Sequence, residues 1–200
     1  MSIRELYEET ARSFARQVES IGADQWRLPG LGVWDVRALV GHTTRALDTV
    51  TDYLAQDEPP TVTMESAEAY YAGAPERDNS AVAERGVAAG EGLGDEPADS
   101  VAARVERAVQ ALHPQPVDRR VAVLGGSILI EEYLRTRVVE LVVHSLDVQR
   151  ATGAAIALPP DALYETLRLI GGVALATGRA EEVVLALTGR HTLPPGFNLV

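Results

Sequence analysis

Apolar side chains recur at spacings of three and four along most of the chain, the pattern of helices that bury one face. Ile3, Leu6, Tyr7, Thr10, Phe14, Val18 and Ile21 predict a first amphipathic helix, ended by Gly22. The loop ADQWRLPGLG leads to Trp34 and Asp35, where Asp35 can N-cap a second helix and Trp34 can pack on Leu39 as a hydrophobic staple. That helix carries Val36, Leu39, Val40, Thr43, Leu47, Val50 and Leu54 on one face, with His42 at its flank. Residues 57–98 are broken by Pro59, Pro60, Gly73, Pro75, Gly92, Gly94 and Pro97 around short helical stretches. From Ser100, the positions Val101, Val105, Ala108 and Leu112 predict another helix, stopped at His113-Pro114. VAVLGGS reads as a β-leaning run into a turn at Gly125-Gly126, with Ser127 as the expected N-cap of a long helix reaching about Thr152. Past Pro159-Pro160, Leu163, Leu167, Ile170 and Ala174 predict a helix over 161–177, followed by a short helix and an irregular tail. Few stretches alternate with period two, so the predicted class is all-α, a helical bundle.

The long helix contains RVVELVVHSLDVQR, residues 137–150, and poses the main question. At about 100° per residue, Glu140, His144 and Asp147 fall within a sector of roughly 60°, with Tyr133 and Arg137 projecting into or beside it. Val138, Val139, Leu141, Val142, Val143 and Leu146 surround that sector, as on a core helix. A buried unpaired carboxylate costs too much, so the stripe must be solvated at a narrow strip, paired internally or bound to something.

Composition narrows the choices. The 46% hydrophobic and 24% charged content are those of a globular protein, and 200 residues suit one domain with a substantial core. A formal charge of −11 argues against nucleic acid or an anionic membrane surface as partner. The start MSIRELYEET reads as a helix rather than a signal peptide, and no apolar run suits a membrane span, so a cytoplasmic location is expected. The chain has no cysteine, so any thiol chemistry must use an imported thiol. All 18 basic residues are arginine, a usage associated with GC-rich genomes.

Glu140 and His144, at i and i+4, can both reach one ion, and His42 supplies a second imidazole from the flank of another long helix. Two neutral nitrogens and one carboxylate suit zinc, nickel or iron(II) and leave a coordination position open. The three side chains are expected to converge between the two helices. Asp147 can orient the His144 imidazole or be a solvated charge near the helix end. Arg137 can pair with Glu140 or project to a bound anion. His113 and His191 read as surface or structural residues, and no Gly-x-Ser-x-Gly, Cys-His or Walker pattern appears.

The block GVWDVRALVGHTTRALD, followed about 100 residues later by ILIEEYLRTRVVELVVHSLDVQR, resembles the mycothiol-dependent maleylpyruvate isomerase family of the DinB-like superfamily. Trp34, Asp35 and His42 match its first signature, and Arg137, Glu140, His144 and Asp147 its second, over approximately residues 1–155. The resemblance implies a DinB-like four-helix bundle at 1–155, with additional short helices and a helical extension over 156–200 packed on it. It implies a divalent metal, usually zinc, on His42, Glu140 and His144, and mycothiol as the thiol that approaches it. Asp147, Arg137 and Tyr133 are then the candidates beside the metal or on the substrate side. The implied chemistry is thiol transfer to, or cis–trans isomerisation of, an electrophilic small molecule, by a monomer or homodimer. The alternative is a non-catalytic metal- or thiol-binding bundle. The family's isomerase carries a further α/β domain after the bundle, and the 45 or so residues that follow here are too few for one, which leaves the electrophile unassigned.

Overall fold

The computed structural model describes residues 1–73 and 79–200, and the described residues are mainly helical. Four long helices, α1 (Ile3–Glu19), α2 (Val36–Leu54), α5 (Pro97–Leu112) and α6 (Ile130–Thr152), form the bundle. Each packs on two neighbours: α1 on α5 and α6, and α2 on the same pair. The helices α1 and α2 therefore lie on one diagonal of the bundle, and α5 and α6 on the other. Tyr7, Phe14, Leu39, Leu47, Leu134 and Leu141 are fully buried between them, as the spacing of apolar positions predicts. No helix among the described residues is long and apolar enough to cross a membrane.

The ends of these helices follow local chemistry in most places. Ser2 and Glu5 form a capping box on α1. The carboxylate of Asp35 accepts from the Ala38 backbone N–H at 2.8 Å, so α2 begins where the sequence predicts. Helix α5 starts at Pro97, three residues ahead of the expected Ser100, because proline fits the first helical turn. Ser127, expected to cap the long helix, instead lies in a hairpin of β1 (Arg120–Val123) and β2 (Gly126–Leu129), opposite Ala122. Its hydroxyl donates to the Thr61 carbonyl at 2.7 Å, and the Ile130 N–H that opens α6 donates to the Arg119 carbonyl at 2.8 Å. Pairing with the strand satisfies groups that a side-chain cap would otherwise serve.

Between α2 and α5, where the sequence showed turn residues around short helical stretches, lie α3 (Ala67–Ala72) and α4 (Asn79–Glu91). The turn expected at Pro75 falls outside the described residues. Helix α4 packs on α2 with almost no room between backbones: a Cβ on Gly41 would stand 2.2 Å from the Gly90 nitrogen. Helix α3 packs on α6 and on α7 (Pro160–Ala176), and the short α8 (Ala180–Leu187) leans on α7 ahead of an irregular tail.

Arg135 on α6 fastens these outer helices to the bundle. Its guanidinium donates to Glu165 of α7 at 2.6 Å, to Glu132 at 2.6 Å and to Glu68 of α3 at 2.5 Å. The outer helices thus meet the bundle through a buried cation as well as through apolar contact.

The close approach of α4 to α2 yields a test. Gly41→Ala should push the helices apart and lower stability by about 1–3 kcal/mol, the usual cost of overpacking. A surface Gly171→Ala, where an added Cβ meets nothing within 4 Å, is the control in urea unfolding.

Candidate metal centre

Helix α6 leaves the core gradually along its length, and the ionisable stripe lies where it does so. Arg137 is buried, Glu140, His144 and Asp147 are partly exposed, and Leu146, expected among the apolar surroundings, is 40% exposed. The stripe is thus neither sealed in the core nor free in water.

Glu140 is held from several sides. The Tyr71 hydroxyl donates to its Oε1 at 3.0 Å, and His144 Nε2 stands 3.4 Å from its Oε2. Nη2 of Arg137 is 3.9 Å from Oε1, an ion pair longer than a hydrogen bond. On its other side, His144 meets Asp147, with Nδ1 3.2 Å from Oδ2. The imidazole is therefore oriented by one carboxylate and presents Nε2 to the other.

His42 reaches the same place from α2. Its ring centroid is 5.0 Å from that of His144, edge to face, and 4.5 Å from that of Trp34. Trp34, expected to staple onto Leu39, shares a buried cluster with it and turns its ring to His42. The indole donates from Nε1 to the Ala83 carbonyl of α4 at 3.0 Å, and Gly86 leaves room for the ring, since a Cβ there would stand 2.5 Å from it. The passage of α4 across α2 thus fixes the indole that borders His42.

His42, Glu140 and His144 offer ligand atoms that all lie within 4.8 Å of one another, a group that could hold a metal ion. Tyr133 lies elsewhere: its hydroxyl donates to Thr49 Oγ1 at 2.8 Å and its ring lies against the Arg137 guanidinium, 4.6 Å away. His113 and His191 are exposed and apart from the group. Tyr71 is the contributor that sequence reasoning missed. It lies on a six-residue helix too short to show a period, and only its place before Gly73 marks the turn there.

Burial works against the charge of His144, but hydrogen bonds and charge from Asp147 and Glu140 outweigh it and raise its pKa to about 9. A histidine whose folded pKa exceeds its unfolded value of about 6.5 adds stability that is fully present below that value and lost as pH rises through about 9. In EDTA-treated protein, the stability advantage of the wild type over His144→Gln should therefore shrink between pH 6.5 and pH 9.5. Urea unfolding at a series of pH values checks this, and an advantage that grows with pH would contradict it.

The chain has counterparts among known proteins. The sequence model of the mycothiol maleylpyruvate isomerase N-terminal domain matches residues 7–149, a span that includes Trp34, His42, Tyr71, Arg137, Glu140, His144 and Asp147. A search of curated proteins finds no match. A solved structure, described as the crystal structure of the mycothiol-dependent maleylpyruvate isomerase, is similar in fold, with a TM-score of 0.53 and 18% identity. The likeness covers 84% of this chain and 66% of that one, so the chain spans just under two thirds of its length. With its DinB-like all-α bundle and a match that takes in most of its length, the chain belongs to the mycothiol maleylpyruvate isomerase N-terminal domain family.

Proposed function

We propose that the chain is a metal-dependent enzyme that binds a divalent ion, usually zinc, on His42, Glu140 and His144 and uses mycothiol as its thiol. The reaction is thiol transfer to, or cis–trans isomerisation of, an electrophilic small molecule. The observation that carries this reading is the convergence of two imidazoles and one carboxylate, all within 4.8 Å, in a protein without cysteine. The donor set fits, because two nitrogens and one oxygen are borderline ligands that suit zinc and leave a position for an incoming thiol. A divalent ion there would lower the pKa of that thiol, so that a thiolate is available at neutral pH.

The protein's own residues prepare the ligands. Asp147 holds Nδ1 of His144, which leaves Nε2 as the ligand nitrogen. Tyr71 donates to Oε1 of Glu140 and so leaves Oε2, the oxygen nearest His144, directed to the site. Trp34 limits the swing of the His42 ring. Since each ligand is held from outside the first coordination sphere, little side-chain order has to be created when a ligand arrives.

Two measurements test the reading. Tyr71→Phe removes the hydroxyl that orients Glu140 and should weaken zinc binding by about 10- to 100-fold while leaving the helical circular dichroism intact, as measured by competition with a chromophoric chelator. Cobalt-substituted wild type titrated with mycothiol should develop thiolate-to-cobalt charge-transfer absorption and accelerate the thiol's addition to an electrophile, and His144→Ala should lose both. Normal cobalt content with a spectrum unchanged at millimolar mycothiol would leave a metal-binding bundle without thiol chemistry.

A further inference from the structure

Tyr71 stands at the far end of a helix that cannot hold itself. The six residues of α3 are far fewer than a helix needs to persist alone in water. Its polar ties all grip the first turn. Ser66 Oγ accepts from the Ala69 N–H at 3.2 Å, Glu132 Oε2 accepts from the Ala67 N–H at 2.8 Å, and Glu68 accepts from Arg135. The last turn, which carries Tyr71, rests on apolar contact and on the tyrosine's own hydroxyl. That hydroxyl has two acceptors in reach, Glu140 Oε1 at 3.0 Å and the Thr136 carbonyl at 3.2 Å, and one hydrogen to give. A small displacement of the ring therefore decides which acceptor it serves.

The apolar support is a cluster separate from the main core, made of Ala67, Tyr71, Val139, Leu169 and Val173, where α3, α6 and α7 meet. Leu199 and Val200 of the tail pack against it, together with Val143, which precedes His144. The route of the tail to this place is built into its sequence. Pro195 and Gly196, the latter at φ 77°, are the proline and left-handed glycine of a type II turn, closed by the Phe197 N–H on the Pro194 carbonyl at 3.1 Å. Arg179, in the turn between α7 and α8, then clamps the returning chain. Its Cζ lies 3.9 Å from the centroid of the Phe197 ring, and its Nη1 donates to the Asn198 carbonyl at 3.0 Å. A set turn, a clamp and two apolar anchors tie this segment down, as few irregular tails are.

We propose that the tail is a positioning strap: Leu199, brought in by the clamp of Arg179 on Phe197, presses the last turn of α3 onto α6 and keeps the Tyr71 hydroxyl on Glu140. The strap touches neither ion nor substrate and acts through Tyr71. Its release loosens α3 and lets the hydroxyl turn to the Thr136 carbonyl, while the four-helix core is unaffected. The consequence for a bound ion rests on the metal reading given above, whereas the mechanical link between tail and α3 does not.

Amide hydrogen exchange followed by mass spectrometry, on the 200-residue chain with and without zinc, separates the two. Leu199→Ser should speed exchange over residues 67–73 about 10-fold and leave α1 and α5 unchanged, while Leu199→Met keeps the wild-type rate. Phe197→Leu, which loses the aromatic face, should act like Leu199→Ser, and Phe197→Tyr should not. Zinc affinity should fall about 3- to 10-fold in Leu199→Ser, and this loss should vanish in a Tyr71→Phe background, because the strap works through the hydroxyl. Unchanged exchange of α3 in Leu199→Ser, or an increase spread evenly over all helices, overturns the proposal. So does a zinc affinity that Leu199→Ser leaves intact or lowers equally with and without the Tyr71 hydroxyl. Faster exchange confined to α3 in a protein that binds no zinc would sustain the strap while refuting the metal reading. Normal zinc binding with unaltered exchange would do the reverse.

Discussion

A carboxylate on an otherwise apolar helix has to be compensated, and the surroundings of Glu140 are organised by that requirement. Tyr71 donates a hydrogen bond to it, His144 brings a proton or a vacant nitrogen, and Arg137 adds a cation at longer range. Each of these partners depends on something further out. Tyr71 is in place because α3 is tied to α6 and α7 by Glu68 on Arg135. His144 is aimed by Asp147, and His42 is bordered by an indole that α4 holds through the Ala83 carbonyl. Removing the outer helices would therefore loosen the site before it disturbed the four-helix core.

The same logic separates stability from chemistry along α6. Its first half is sealed by Ile130, Leu134 and Val138, and by the saturated charges around Arg135. Its second half opens to solvent at Leu146 and carries the stripe. Buried ion clusters contribute less to stability than their short distances suggest, because desolvation opposes attraction. Their effect here is geometric: they fix which face of α3 meets the stripe. The apolar contacts of the bundle carry the folding free energy, and the charged contacts carry the arrangement of the site.

The absence of cysteine bears on how such a site would work. A protein with its own thiolate near two imidazoles and a carboxylate would saturate a zinc ion and close the site. With the three protein donors proposed here, the fourth position would be left to an outside ligand, beside the Trp34 ring that borders His42 and the Arg137 cation near Glu140. A bundle with a large apolar core of its own can keep that position open without depending on the ion to fold.

Much of this was legible in the chain because it is set by local spacing. The 3.6-residue period placed the helices, Asp35 announced the start of α2, and the i, i+4 relation put Glu140 and His144 on one face. Three matters were not local. Ser127 has the chemistry of a helix cap, but the pairing of β1 with β2 and the carbonyl of Thr61 claimed it. Tyr71 lies in a stretch without periodicity, and it reaches Glu140 only because α3 folds back onto α6, 69 residues further along the chain. Arg135 and Arg137 look alike in sequence, two arginines on one apolar helix. Which of them is saturated depends on where Glu68 and Glu165 arrive from other helices, since a guanidinium's partners are chosen by tertiary packing and not by its neighbours in the chain.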